Sequence, residues 1–499
     1  VAAKQTYSRW NDGRCYSALA VVCVGLLLPL NGCRVGPNYK VPATATAPSF
    51  KEADTRRFPE TADWHLARPG DTIPRGDWWT IFHDDALNTL EPQIATANQT
   101  LMAADANLRA ARAAITVQHS GLLPTVGVAP HVIGERESAN QPFTTGTGTN
   151  SGEADYLIAP QLNYEVDLWG AIHRSVTAAR EEAQASAADR QSLLLSLQAE
   201  LAVDYFELRA ADAQQRLLDQ TVAQYADAVR VTRNRFLGGI AGKSDLTQAE
   251  TQLQAAKVAD SDVVVARAQY EHAIAALLGK TPSDFSLPPT PFATSTEPPA
   301  IPLGLPSELL ERRPDVAAAE RRTAEANEQI GIARAAYFPA ANILGSAGVE
   351  SAVVGSLFSA PSFLYAVGPI LSQTLFDGGR RRGISAEAQA NYDAATATYR
   401  QTVLTAYQQV EDNLVALRVL STESDQQRQA TASALESERI FNNRYVGGVD
   451  NYLQVILAQT TALVNERNDI DILRRRMDAS VILIKALGGG WDRTQLPTQ

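Results

Sequence analysis

Hydrophobic residues recur along this chain with two periods. Between 171 and 236 helix breakers are scarce. Apolar or small side chains fall at Leu194, Leu197, Leu201, Tyr205, Leu208, Ala211, Leu218, Val222, Tyr225, Val229 and Phe236. Steps of three and four mark the seam of a coiled coil. A helix over 171–236 would be roughly 100 Å long at 1.5 Å per residue. A second long helix is predicted over 380–444. Other stretches alternate with period two. In 157–168, Ile158, Pro160, Leu162, Tyr164, Val166 and Leu168 interleave with Ala159, Gln161, Asn163, Glu165 and Asp167. In 362–371, Phe363, Tyr365, Val367, Pro369 and Leu371 give a softer version. These read as strands with one apolar and one polar face.

The two patterns occur twice. "RFLGG" at 235–239 matches "RYVGG" at 444–448, an offset of 209 that also carries Leu278-Gly279 onto Leu487-Gly488. "LLPTVGV" at 122–128 matches "YFPAANI" at 337–343, an offset of 215. Repeat 1 covers 85–280: a helix 85–121, strands 124–137 and 156–168, the long helix, and a return helix 243–279. A proline-rich connector, 281–306, follows. Repeat 2 covers 307–488: a helix 307–337, strands 340–351 and 362–376, the long helix, and a return helix 450–487. A tail, 489–499, closes the chain.

Gly-Lys-Ser at 242–244 raises the question of phosphate. A phosphate-binding loop needs four residues between its first glycine and Gly-Lys-Ser, after a buried strand. Gly238 and Gly242 leave three, and a helix precedes them. At the matching site Lys243-Ser244 becomes Tyr452-Leu453 while the glycine pair stays. What recurs is a turn, which glycine supplies by tolerating positive φ at a helix end.

Strands of about eleven residues, tilted, would cross a hydrocarbon core. Four strands do not close a barrel, and lipid leaves no partner for an open edge. If these strands span a membrane, several copies must pool them.

Composition adds the compartment. The net charge of −11 disfavours nucleic acid as the main partner. Lys4, Arg9 and Arg14 precede an apolar run, 16–30, too short for a comfortable transmembrane helix. "LNGC" at 30–33 resembles the bacterial lipobox, which implies a signal peptide over 1–32. Cys33 would then be the N-palmitoyl and S-diacylglycerol cysteine that begins the mature chain, and the only cysteine left in it. An N-terminal extended segment, 33–84, follows. Arg34 after the cysteine favours, by the same resemblance, sorting to the outer membrane.

The chain as a whole resembles the TolC-like outer membrane factors, in particular the outer-membrane lipoprotein of RND-type efflux systems. The matching strings are "GCRVGPNY" at 32–39, "DWWTIFHDDALNTL" at 77–90 and "YEVDLWGAI" at 164–172, then "LPSELLERRPDVAAAE" at 305–320, "TLFDGGRRR" at 374–382 and "RYVGGVDNYLQ" at 444–454. The resemblance implies a homotrimer with a twelve-stranded outer-membrane β-barrel, four strands per chain. A twelve-helix periplasmic α-barrel and a mixed equatorial domain would continue it. It implies a passive exit duct for drugs or other small molecules. Its partners would be a periplasmic membrane-fusion adaptor, an inner-membrane RND pump and outer-membrane lipid. The alternative is a lipid-anchored periplasmic coiled-coil scaffold without a pore.

By the same resemblance the hairpin tips meet the adaptor and form an aperture. The tip residues are Gly238, Gly239, Asp245, Tyr445, Gly447 and Gly448. Asp450 fits the family's acidic gate position, although a carboxylate at a helix start also favours the N-terminal dipole. Gln454 and Leu457 are the other constriction candidates. "VILAQ" places Leu457 where the family commonly has aspartate, which puts an inner acidic ring in doubt.

Candidate chemistry is sparse. His65, His83, His119, His131, His173 and His272 form no H-x-x-x-H pair and lie near no cysteine at ligand spacing. No G-x-S-x-G occurs. "TTGTGTNS" at 144–151 reads as a flexible extracellular loop between strands. Neither enzyme activity, metal nor cofactor is expected. Arg380, Arg381 and Arg382 open the second long helix, either as a solvated cluster or in contact with anionic lipid or the lumen.

Overall fold

A computed structural model describes residues 34–44, 49–52, 77–136, 152–292, 296–299, 301 and 312–491. Cys33, the signal segment and the loop 144–151 lie outside them. The described residues divide into two units. One comprises the described parts of 34–40, 113–180 and 324–393; the other comprises the described parts of 41–112, 181–323 and 394–499.

The first unit holds one antiparallel sheet. Its strands are β1 (Thr125–Val128), β2 (His131–Glu135), β3 (Glu153–Ile158), β4 (Pro160–Val166), β5 (Ala340–Ser351) and β6 (Phe363–Ser372). β1 and β2 behave as one strand, and so do β3 and β4. The register is the same on both sides of each break: Val128 faces Pro160 and His131 faces Leu157, while Gln161 faces Ser346 and Ile158 faces Val349. Four strands therefore lie in the order β1/β2, β4/β3, β5, β6. Pro130 sits in the first break, where a residue without an N–H is tolerated on an edge strand. Opposite the second break, a Cβ on Gly348 would collide with the Ile158 carbonyl and Ala159. The close approach there requires glycine.

β1/β2 and β6 are shorter than 124–137 and 362–376, whereas β3/β4 is shifted, beginning at Glu153 ahead of 156 and ending at Val166 before 168. The last pair between β5 and β6 is Ala340 with Ser372. β6 ends where its partner begins, and the alternating residues beyond it have nothing to pair with.

The second unit is built on long helices, several of which begin or end in the first. Labelled in chain order, the helices are α1 (Asp85–Ala97), α2 (Gln99–Ser120), α3 (Ala171–Leu237), α4 (Lys243–Leu277), α5 (Pro314–Ala335), α6 (Arg380–Val446) and α7 (Tyr452–Ala486). α3 and α6 each have 67 residues, α4 and α7 each 35. None of the described helices is long and apolar enough to cross a membrane. Along the α3 seam Leu197, Leu201, Tyr205, Leu208, Ala211, Leu218, Tyr225 and Val229 are buried. Phe236 is not: it is 36% exposed, because it lies in the last turn where α3 runs out of neighbours.

The single helix expected over 85–121 is two helices. Asn98 leaves helical geometry at ψ 122°. Its side-chain oxygen accepts from the Leu101 amide at 3.0 Å, starting α2. Its amide donates to the Leu277 carbonyl at 2.8 Å, ending α4. The second half has the same junction. Arg313 donates to the Ala486 carbonyl at 2.9 Å, and Ala486 stands 209 residues after Leu277. A Cβ on Gly279 would strike the Ala97 carbonyl, and one on Gly488 the Arg312 carbonyl.

The main core gathers around Trp78 and Trp79, packed edge to face at 5.9 Å. Leu87, Ile94 and Leu101 join Leu201, Tyr205 and Leu208 of α3, with Ile274 of α4 and Ile484 of α7. Each such side chain is worth about 1.5–3 kcal/mol when fully buried. Asp84 fixes the entry: it caps α1 through the amides of Ala86 and Leu87, both at 2.9 Å, and accepts the Tyr205 hydroxyl at 2.7 Å.

Candidate functional site

Residues facing each other across antiparallel strands share a face of the sheet. One face reads Val126–Leu162–Gly345–Val367, Tyr164–Ile343–Pro369, Val166–Ala341–Leu371 and Ile158–Val349–Phe363. The other reads Thr125–Asn163–Leu344–Gly368, Gly127–Gln161–Ser346–Ala366 and Glu165–Asn342–Ile370. The first is apolar in all these rows, with Ser351 opposite Tyr156 at its far end, and the second is polar with interspersed leucine and isoleucine. Val126, Phe363, Tyr365, Val367 and Leu371 of the apolar face are largely exposed. Among the described residues, β1/β2 and β6 have no strand on their outer sides. A soluble chain does not ordinarily present so continuous an apolar face beside two open edges.

The chain just after Cys33 is clamped to this unit. The Val35 amide donates to the Trp169 carbonyl at 3.1 Å. Gly36, at φ +113°, lies so close to Gly331 that a Cβ would come within 2.6 Å of the Gly331 Cα. The buried Arg174 guanidinium pairs with Glu328 at 2.7 Å and also donates to the Pro37 carbonyl at 3.3 Å. Asn327 donates to the same carbonyl.

The hairpin tips lie in the helical unit. α3 ends in a paired closure: Gly239 N–H to the Phe236 carbonyl at 2.9 Å, and Ile240 N–H to the Arg235 carbonyl at 2.8 Å. α6 ends the same way, with Gly448 to Tyr445 at 3.0 Å and Val449 to Arg444 at 2.9 Å. This closure puts one residue in the left-handed region. It is the second glycine of each pair, Gly239 at φ +72° and Gly448 at φ +74°. Gly238 and Gly447 keep φ negative and donate back to the carbonyls of Asn234 and Asn443. Gly242-Lys243-Ser244 follows a helix and opens another, so no strand-to-helix phosphate loop is formed.

Two arginines that the sequence reading passed over organise the tips. Arg235 donates to the carbonyls of Tyr445 and Val446, both at 3.0 Å, and lies 4.5 Å from the centre of the Tyr445 ring. It adds a second donor to the Tyr445 carbonyl, which already accepts from Gly448, and satisfies the Val446 carbonyl that the end of α6 leaves open. Arg444 grips Asp450 with two bonds, 2.6 and 3.2 Å. Asp450 therefore pairs across the turn. The cap of α7 is Asn451, whose side chain accepts from the Gln454 amide at 3.4 Å. The 209-residue offset places Arg235 on Arg444, which is the signal that could have found both.

Behind the turns, Tyr445 and Tyr452 pack at 5.1 Å against Tyr225, Val229, Leu253 and Val455. Burial pushes the Tyr452 hydroxyl up to about 12. The buried Tyr445 hydroxyl has no hydrogen-bond partner among the described residues. Asp245 is half-buried and takes the Ser244 hydroxyl at 3.3 Å. Gln454 and Leu457 lie one turn apart on α7; Gln454 is half-buried, and Leu457 is 54% exposed. One chain thus brings Tyr445, Gly447, Gly448 and Asp450 into one turn and leaves Leu457 facing outward.

The model of the outer membrane efflux protein family matches residues 91–280 and 305–489. The chain is 31% identical to outer membrane protein OprJ of Pseudomonas aeruginosa, over 95% of this chain and 96% of that one. It is 30% identical to the toluene efflux pump outer membrane protein TtgC of Pseudomonas putida, over 93% of each. Among solved structures, the outer-membrane channel OprN superposes with a TM-score of 0.84 at 28% identity, covering 92% of this chain and all of that one. The open state of the Neisseria gonorrhoeae MtrE outer membrane channel gives 0.77 at 26%, covering 92% and 99%.

Proposed function

The chain belongs to the family of outer membrane efflux proteins, and from that premise we propose that three copies pool their strands and hairpins into a single duct. The protein is an outer-membrane efflux channel with the TolC-like fold. The observation that supports the trimer is the sheet: four strands, one apolar face and two open edges. In lipid every edge N–H and C=O must find a partner. Edge-to-edge association of three such sheets gives a closed twelve-stranded cylinder with the apolar rows toward hydrocarbon and the polar rows toward water. A lipid-anchored scaffold without a pore leaves the apolar face with no environment to meet it.

The long helices continue the duct into the periplasm, and their tips, Phe236–Asp245 and Tyr445–Gln454, meet a periplasmic adaptor. Asp450, with Gln454 and Leu457 one and two turns into α7, narrows the aperture. An inner-membrane RND pump supplies the energy, and the duct conducts passively. Lipid on Cys33, held by the Arg34–Lys40 strap, anchors the N-terminus. Planar-bilayer conductance tests the reading. The full-length protein should form long-lived pores, and Asp450→Ala with Gln454→Ala should raise the open fraction. A protein that inserts without conducting refutes the duct, and unchanged gating in the double variant removes these residues from the aperture.

A further inference from the structure

At the helical end of the sheet a belt of aromatic, apolar and cationic groups follows the membrane face. The Arg34 side chain lies against Gly170, and the next amide is bonded to Trp169. Trp169 stacks on Phe338 at 4.6 Å and donates its indole N–H to the Pro339 carbonyl at 2.8 Å. The Tyr337 carbonyl accepts from Gln373 at 3.1 Å, and its ring lies 5.5 Å from the Arg381 guanidinium. Just beyond β6, Leu375 and Phe376 are 91% and 89% exposed. Immediately after them come Arg380, Arg381 and Arg382.

Asp377 accounts for only one of these cations: it binds Arg381 at 2.6 Å. Arg380 and Arg382 are exposed and have no carboxylate partner among the described residues, and the first turn of α6 contains no acid. Bare apolar side chains beside unpaired guanidinium groups suit neither open water nor hydrocarbon. They suit the headgroup region, where phosphate meets acyl chain. Leu371 is the last apolar-face residue of β6, and Leu375 and Phe376 follow it within five residues, just past the end of the strand. A site for free phosphate would have no use for two apolar side chains at this exposure.

We propose that Arg380 and Arg382 dock the phosphate groups of anionic phospholipids at this end of the sheet, with Leu375 and Phe376 seated among the acyl chains. The proposal rests on the membrane-spanning reading of the sheet.

The test uses full-length protein in phosphatidylcholine nanodiscs containing a minority of phosphatidylglycerol. Retained lipids are counted by native mass spectrometry, and conductance is measured on the same preparation. Phosphatidylglycerol should be enriched roughly tenfold over its bulk share. Arg380→Gln with Arg382→Gln should abolish the enrichment at unchanged conductance. Leu375→Ser with Phe376→Ser should weaken retention of both lipids, and added inorganic phosphate should not compete. Equal enrichment in the arginine variant overturns the proposal. So does displacement by inorganic phosphate, or a Leu375/Phe376 variant that falls into single chains with its lipid unchanged, since a second copy would then be the occupant. Normal conductance without enrichment defeats this proposal alone, whereas absent conductance in the wild type defeats the membrane reading beneath it.

Discussion

Replacing Arg235 with glutamine tests whether the tips are held shut from within each chain. The guanidinium ties the end of α3 to the end of α6 by two carbonyl bonds at 3.0 Å and covers the Tyr445 ring. Hydrogen bonds from a charged donor contribute about 1.5–3 kcal/mol when buried. Arg235 is half-exposed, so about half of that applies to each. The ring contact adds about 0.5–1 kcal/mol. Glutamine can keep one of the carbonyl bonds, which leaves a loss of about 2 kcal/mol. If the closed tip depends on this tie, the open-to-closed ratio rises about thirtyfold, since 1.4 kcal/mol is a factor of ten. Single-channel recording on reconstituted protein reads that ratio directly. Arg235→Lys keeps the charge but loses the fork and should fall between. A glutamine variant that assembles normally and gates like wild type would refute the latch.

Other consequences follow from the same geometry. Gly239→Val and Gly448→Val should each cost about 1–2 kcal/mol, because a β-branched residue is forced to positive φ, while Gly238→Ala and Gly447→Ala should be nearly neutral; thermal unfolding separates the pairs. Asp478 is pushed up to about 7 by burial first, then by Glu207, with Arg474 opposing. Because the folded state holds this proton more tightly than the unfolded chain, stability should fall by roughly 2 kcal/mol as pH rises from about 5.5 to about 8, and Asp478→Asn should flatten the dependence in denaturant titrations. Arg174→Leu strands the buried Glu328 and removes one of the two donors to the Pro37 carbonyl, so it should cost about 3 kcal/mol and make the Arg34–Lys40 strap cleavable by protease; resistance like wild type would mean that the ion pair does not hold the strap.

The long helices were legible because a seam of threes and fours over that length has few other solutions, and the doubled glycine turns set their ends. Ala171 and Arg380, like Leu237 and Val446, stand 209 residues apart, the spacing of the two "GG" turns. What stayed hidden depends on partners distant in sequence. Asn98 carries a local signal as the cap of α2, but its second bond, to the Leu277 carbonyl, comes from 179 residues away. Arg235 reads as an ordinary helix-end cation until Tyr445 and Val446 arrive from the other repeat. Which glycine of a pair takes positive φ is set by where the last helical bond closes, and that makes it the second, Gly239 and Gly448. For Asp450 the sequence offered a gate or a dipole partner, and the Arg444 fork lay six residues upstream in plain view.

The central claim is that the open edges of one sheet are completed by other copies. Cysteine at Val126 on β1, combined in turn with cysteine at Phe363, Tyr365, Val367 or Leu371 on β6, and oxidation in native membranes reads it directly. The account predicts that at least one pairing yields a covalent ladder ending at three chains. Bridges that form only within single chains, or a ladder that stops at two, would contradict it.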